Sequence, residues 1–258
     1  MIQKPSCTCL VWEGFSNVAH RLTVYDNIHR KEVCCLQFRH EVKHEISSHD
    51  MLILRQRLGA VMKPDPHAIN GQYKIRSLYF DNLDDKALRE KLDGVLTREK
   101  YRIRLYNNDP ATIRLERKFK HGGLGYKSSA RLTPQQAQSI VDGDVEWMAG
   151  SKNEVILGFY TRIRNEGLKA KVIVDYIREP FVFAPGNTRV TLDYDIRTGM
   201  SCTDFLNPDC VMIPVYGSPC ILEVKWDNYL PDVVRDVIQL GGRRSSAFSK
   251  YAASRMYD

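Results

Sequence analysis

Read in steps of two, residues 98–120, REKYRIRLYNNDPATIRLERKFK, sort into two faces. Lys100, Arg102 and Arg104 fall on one side, and Tyr101, Ile103 and Leu105 on the other. After the turn residues Asn107-Asn108-Asp109-Pro110 the alternation resumes. Arg114, Glu116, Lys118 and Lys120 share one face, and Ile113, Leu115, Arg117 and Phe119 form a mostly apolar opposite face. The pattern predicts a β-hairpin with a densely cationic side. An ordinary edge hairpin wetting its charged face would alternate in the same way. The same device recurs, however, in strands far apart in the chain. Like charges on neighbouring strands repel, so a sheet that aligns many cations implies an anionic ligand to compensate them.

The remaining elements follow from the same periodicities. In LQFRHEVKHEIS, beginning at Leu36, Arg39, Glu41, Lys43 and Glu45 lie on one face of a strand, opposite His40, Val42, His44 and Ile46. Ser47 or Ser48 caps a helix with Met51, Leu52, Leu54, Leu58 and Val61 on its buried side. Pro64-Asp65-Pro66 ends that unit. QYKIRSLYFDN is a strand, Asp81 or Asn82 caps the next helix, and Gly94 closes it. HGGLGYKSSARLT reads as a glycine-rich hairpin turn and a strand carrying Lys127, Ser129 and Arg131; it lacks the Gly-Lys-Ser/Thr ending of a P-loop. Thr133 with Gln136, and Ser151 with Glu154, are capping-box signatures for two helices, the second closed by Gly167. Strands return in KAKVIVDYIREPFVF, in TRVTLDYDIRTG with Arg189, Thr191, Asp193, Asp195 and Arg197 on its polar face, and in CILEVKWDNYLP with Glu223 and Lys225 together. Pro231 opens a helix through Leu240, and a last short helix brings Ser249 and Lys250. About eight strands and their helices, with no linker or repeat, indicate one domain over residues 36–258. Residues 1–35 lack sustained periodicity and stand as an extension of unassigned role.

Composition narrows the partner. A chain of 258 residues with net charge +7 suits one large domain and an acidic ligand: nucleic acid, anionic membrane or a phosphate-rich small molecule. Tyr101 and Tyr106 interleave with basic residues as in single-strand binders, but on the face opposite the cations they read as core. Nucleic acid is therefore the weaker expectation. Seven cysteines, Cys7, Cys9, Cys34, Cys35, Cys202, Cys210 and Cys220, form no regular framework and point to a reducing compartment. Cys7 and Cys9 are too close for a usual zinc pair, and His20 and His29 are not at ligand spacing. No apolar run reaches the length of a membrane span and no secretory signal opens the chain, so a cytoplasmic location is expected.

With apolar faces turned to surrounding helices, about eight such strands can close into an α+β fold: an antiparallel β-barrel or tunnel with a charged interior. Alternation alone leaves open which face points inward.

The pieces RHEVKHEIS (39–47), SLYFDN (77–82), REKYRIRLY (98–106), IRLERKFK (113–120), RVTLDYDIR (189–197), ILEVKW (221–226) and FSKY (248–251) occur in an order that resembles the catalytic domain of the vacuolar transporter chaperone (VTC) polyphosphate polymerases. These belong to the triphosphate tunnel metalloenzyme superfamily. The resemblance implies charges inside the tunnel. By position it makes Lys43, Arg102, Arg104, Lys118, Arg189 and Lys250 the catalytic phosphate-binding cations. Ser249 stands beside them, with Lys100, Lys120, Lys127 and Arg131 as further substrate contacts. Glu223 takes the part of the carboxylate that holds a divalent metal, Mn²⁺ or Mg²⁺, while Glu41 and Glu116 balance the cations. Arg39 stands where the wider superfamily has an acid, which suits the polymerase branch. The implied partners are ATP and inorganic polyphosphate or triphosphate, and the implied reaction is metal-dependent γ-phosphoryl transfer to a polyphosphate chain. Hydrolysis of tri- or polyphosphate in the same tunnel, and binding without turnover, are the alternatives.

Overall fold

Residues 39–122, 124–241, 245 and 247–256 are described by a computed structural model. The expectations for residues 1–35, with Cys7, Cys9, Cys34, Cys35, His20 and His29, lie outside them. One antiparallel sheet dominates, with its main path running through eight strands. In spatial order these are β1 (His40–Ile46), β10 (Cys220–Trp226), β8 (Thr188–Thr198), β7 (Lys169–Phe183), β3 (Tyr73–Asp81), β4 (Thr97–Tyr106), β5 (Asp109–His121) and β6 (Leu124–Arg131). Two-residue strands β2 (Lys63–Pro64) and β9 (Ile213–Pro214), too short for any periodicity to reveal, add to β7 and β8. The edge strands β1 and β6 meet at the bridge between Arg39 and Gly125, so the sheet curls round on itself.

The helices settle which face is enclosed. On the outer side, Leu54 and Leu58 of α1 (Ser48–Val61) and Val234 of α5 (Asp232–Val237) pack against Val190, Leu192, Leu222 and Val224. A second outer cluster joins Ala137 and Ile140 of α3 (Pro134–Asp142) and Ile156 and Phe159 of α4 (Glu154–Glu166) to Ile103, Leu105, Ile113 and Leu115. Fully burying each such side chain contributes about 1.5–3 kcal/mol. That drive holds the apolar face of every strand outward against its helices and leaves the charged face on the inside.

Local chemistry explains most boundaries. Asn107 and Asn108, both at positive φ, form the tight β4–β5 turn. Ser47 caps α1 in a capping box with Asp50, and Thr133 caps α3 with Gln136. Four expectations need correction. Leu52 is exposed, because the apolar stripe of α1 turns past it. Asn153, rather than Ser151, caps α4, its side chain accepting from the amides of Val155 and Ile156. The cap position of α2 (Lys86–Leu92) is Asp85, although the Asp81 carboxylate reaches across to accept from Ala87 and Leu88. α5 stops at Val237, short of Leu240.

The last helix, α6 (Lys250–Ser254), lies on the inner side. Its Tyr251 stacks on Tyr79 at 5.1 Å and packs with Val174, Ile196 and Ile221. Part of the inner face is therefore apolar and covered. The switch on β8 comes from a bulge: Asp195, at φ +48°, adds a residue opposite Tyr176. Beyond it, Ile196 faces inward, while Arg197 pairs with Asp175 across the strands and with the Asp195 side chain. The expected continuous polar row from Arg189 to Arg197 thus ends at Asp193.

Candidate functional site

Cross-strand partners share a face of a sheet, so the register alone assembles the inner surface. On β4, β5 and β6 it stacks Lys100, Lys118 and Lys127 in one row, Arg102, Glu116 and Ser129 in the next, and Arg104, Arg114 and Arg131 in a third. On the opposite wall Lys43 pairs with Glu223, Glu41 with Lys225, and Glu223 in turn with Thr191. Most of the expected site residues thus share one enclosed face.

Two charge networks divide it. The first centres on Glu223 and Glu41. Lys43 Nζ lies 3.3 Å from Glu223 and 3.5 Å from Glu41. Lys225 Nζ lies 2.7 Å from Glu223 and 3.7 Å from Glu41. Lys118 donates to Glu41 at 3.0 Å, with Lys120 3.9 Å away. Arg178 grips Asp193 through Nε and Nη2 at 2.6 and 2.7 Å and stands 3.3 Å from Glu223. Lys250 donates to Asp193 at 2.5 Å, brought there by α6, whose first turn is capped by the Ser249 hydroxyl accepting from Ala252. Burial and mutual repulsion work against both glutamates, but the surrounding ammonium groups hold Glu223 and Glu41 well below the usual carboxylate range. Burial likewise opposes the charge on Asp193, and Arg178 and Lys250 bring it down to about 2.

The second network centres on Glu116, only 1 % exposed. Arg102 reaches it at 2.7 Å, Lys127 at 2.8 Å and Arg104 at 3.7 Å. The arginines also use neutral oxygens: Arg102 donates to the Tyr79 hydroxyl at 3.0 Å, and Arg104 donates to Tyr176 at 2.9 Å and Ser77 at 3.2 Å. These contacts lock the guanidinium planes before any ligand arrives. Lys100 has no hydrogen bond or ion pair among the described residues. Burial, with Lys118, Lys43 and Arg102 nearby, holds its amine well below its ordinary pKa. Burial also pushes Lys118 down to about 8, Glu41 notwithstanding.

Three expected residues lie outside the two networks. Arg189 occupies an inner position of β8 but pairs with Asp65 at 3.0 Å, and Arg131 is exposed at the end of its strand. Ser249 serves α6 as its cap. Conversely, Arg178, Lys225 and Asp193 belong to the first network without having been singled out. Arg178 lies within the largely apolar run of β7, and alternation groups Lys225 and Asp193 by face without giving them a role. Tyr106, expected on the face opposite the cations, lies instead beside Arg104, which donates to its hydroxyl at 3.4 Å, and the Tyr79 and Tyr176 hydroxyls hold the arginines in the same way.

Such a surface can do little covalent chemistry of its own. It offers fixed cations and a few ionised carboxylates in an enclosed space, which suits binding and charge neutralisation of a polyanion.

A family model described as the VTC domain matches residues 38–257. No curated protein sequence matches the chain. Among solved structures, an adenylyl cyclase candidate from Hippeastrum, described by a dominant triphosphatase activity, aligns with TM-score 0.53 at 15 % identity. It covers 84 % of this chain and 95 % of that one. An adenylate cyclase candidate from Bacillus halodurans gives TM-score 0.44 at 16 % identity over 78 % and 87 % of the two chains. The Mimivirus capping enzyme triphosphatase gives 0.39 at 13 % over 79 % and 89 %. Among the described residues no helix is long and apolar enough to cross a membrane.

Proposed function

The chain belongs to the VTC domain family, with the triphosphate tunnel fold, and from that membership we propose that it transfers the γ-phosphoryl group of ATP to the end of an inorganic polyphosphate chain held on its charged inner face. The observation that carries this reading is the convergence of Lys43, Lys100, Arg102, Arg104, Lys118, Lys127 and Lys250, from four strands and a helix, on one enclosed surface. A terminal oxygen of the polyphosphate chain attacks the γ-phosphorus. The new P–O bond forms as the bond to the β,γ-bridging oxygen breaks, and ADP leaves. The protein supplies alignment and charge. Arg102 and Arg104, held by Glu116, Tyr79 and Tyr176, grip equatorial oxygens in planar, bidentate fashion. Lys43, Lys118 and Lys250 act as point charges, and no side chain is needed as a nucleophile.

The fold family implies a divalent metal, and the donor set fits one. Glu223 and Glu41 are neighbouring ionised carboxylates bridged by Lys43 and Lys225. Thr191 Oγ, cross-strand from Glu223, is buried without a hydrogen-bond partner among the described residues. One or two carboxylates completed by phosphate oxygens is a Mg²⁺- or Mn²⁺-type environment. Glu223 would hold the ion, which would supply positive charge to offset that of the phosphate groups.

Incubation of the purified protein with manganese, labelled ATP and a polyphosphate primer tests the reading. Label in lengthening chains is expected. Free phosphate without chain growth would make it a hydrolase, and retention without turnover a binding module; either outcome overturns phosphotransfer.

A further inference from the structure

The third row of the β4–β5–β6 wall holds three arginines and no acid. Arg104, Arg114 and Arg131 are successive cross-strand partners, roughly 5 Å apart at their Cβ atoms. Arg104 is buried and directs its nitrogens to Ser77, Tyr106 and Tyr176, with Glu116 3.7 Å off. Arg114 and Arg131 are exposed, and neither has a hydrogen bond or ion pair among the described residues. Several arginines on the outer face behave differently. The similarly exposed Arg197 and Arg235 hold Asp195 and Asp232 at 2.9 and 2.8 Å, and Arg55 holds Glu179 at 2.7 Å. Like charges directly opposed across strands cost stability. Two aligned guanidinium groups beside a third are therefore a feature that folding does not favour and an anion would.

From this row we infer that Arg114 and Arg131 form an outer anion subsite that receives the part of a linear polyphosphate extending beyond Arg104, so that the protein favours long chains over tripolyphosphate. The inference rests on the polyphosphate reading above and adds a length preference to it. The row lies four residues along the strands from the Lys100–Lys118–Lys127 row, roughly 14 Å. The Glu116 row between them presents Arg102, so a chain crossing the wall meets a cation at every step. Arginine suits the outermost position: its fork takes two oxygens of one phosphate and stays charged at any working pH.

The test compares dissociation constants for tripolyphosphate and long-chain polyphosphate at one fixed ionic strength, in wild type and in Arg114→Ala/Arg131→Ala. Both sites are exposed, so the variant is expected to fold. The wild type favours the long chain, and the double variant loses about tenfold of that ratio, two charge-assisted contacts being at stake. Arg114→Lys/Arg131→Lys recovers part of it. Arg197→Ala/Arg235→Ala, which removes the same net charge from the outer face, leaves the ratio where it was. A ratio unchanged in the first variant, or lowered equally by the outer-face control, overturns the subsite while leaving the inner face as the binding surface. A wild type that binds neither ligand overturns the polyphosphate reading and the subsite together.

Discussion

The two walls of the inner surface carry opposite balances of charge. On the β1–β10–β8–β7 wall, Glu41, Glu223 and Asp193 stand among Lys43, Lys225 and Arg178, and every one of these cations touches a carboxylate. On the β4–β5–β6 wall, Glu116 is the one acid in the rows that hold Lys100, Arg102, Arg104, Arg114, Lys118, Lys127 and Arg131. The first wall is nearly neutral by itself and its carboxylates are arranged to share cations. The second carries a surplus that its own side chains do not match. The proposed pairing of a metal with a polyanion draws on one wall of each kind.

Removing Glu116 presses hardest on this contrast. Glu116→Gln leaves Arg102 and Arg104 buried beside a neutral group, and losing one partner of a buried ion pair costs about 3–5 kcal/mol. The melting temperature is expected to drop, and added tripolyphosphate to restore much of the loss by binding the native state. A melting temperature unmoved by the substitution would remove Glu116 from its central place.

Arg102→Ala and Glu223→Gln come next, one from each wall. Each is expected to cost about 2–4 kcal/mol of transition-state stabilisation, read as kcat/KM for ATP-dependent chain growth. They separate by metal: raising manganese rescues part of Glu223→Gln and none of Arg102→Ala.

The effect of pH is smaller and has its clearest reporter on the surplus wall. Lys118, pushed down to about 8 by burial, is charged below that pH and loses its proton as pH rises through it. Affinity for polyphosphate is expected to weaken over that interval, and Lys118→Arg, which stays protonated, to flatten the profile. Glu223 and Glu41 lie far below this range and contribute nothing to it. Least of all, Arg197→Ala on the outer face breaks an exposed pair and is expected to change stability by less than about 1 kcal/mol in a denaturant titration, with activity unaltered.

How much of this could be read beforehand depended on periodicity. β4 and β5 alternate without interruption, and the expected face of Lys100, Arg102 and Arg104 is the one observed. Strand direction could not be read, because alternation is symmetric; the clusters around Leu54 and Phe159 decide it by claiming the apolar face. Arg178 escaped notice because β7 is apolar on both sides for much of its length, so its phase carries no signal. The pairing of Arg189 with Asp65 depends on the short β2 strand, which leaves no trace in the sequence. The Tyr79 and Tyr176 hydroxyls are ordinary aromatic positions until arginines from another strand reach them.

The single extra residue at Asp195 has a consequence for the length of the wet channel. Strand β8 enters as a polar lining and leaves as a greasy one, and the change takes place within one peptide. Were the strand in strict phase, Arg197 would point inside where Ile196 now meets Tyr251, and the helix that delivers Lys250 would have no dry seat. One kink in the backbone thus sets both where the charged lining gives way to an apolar one and where the last cation of the inner surface can be anchored.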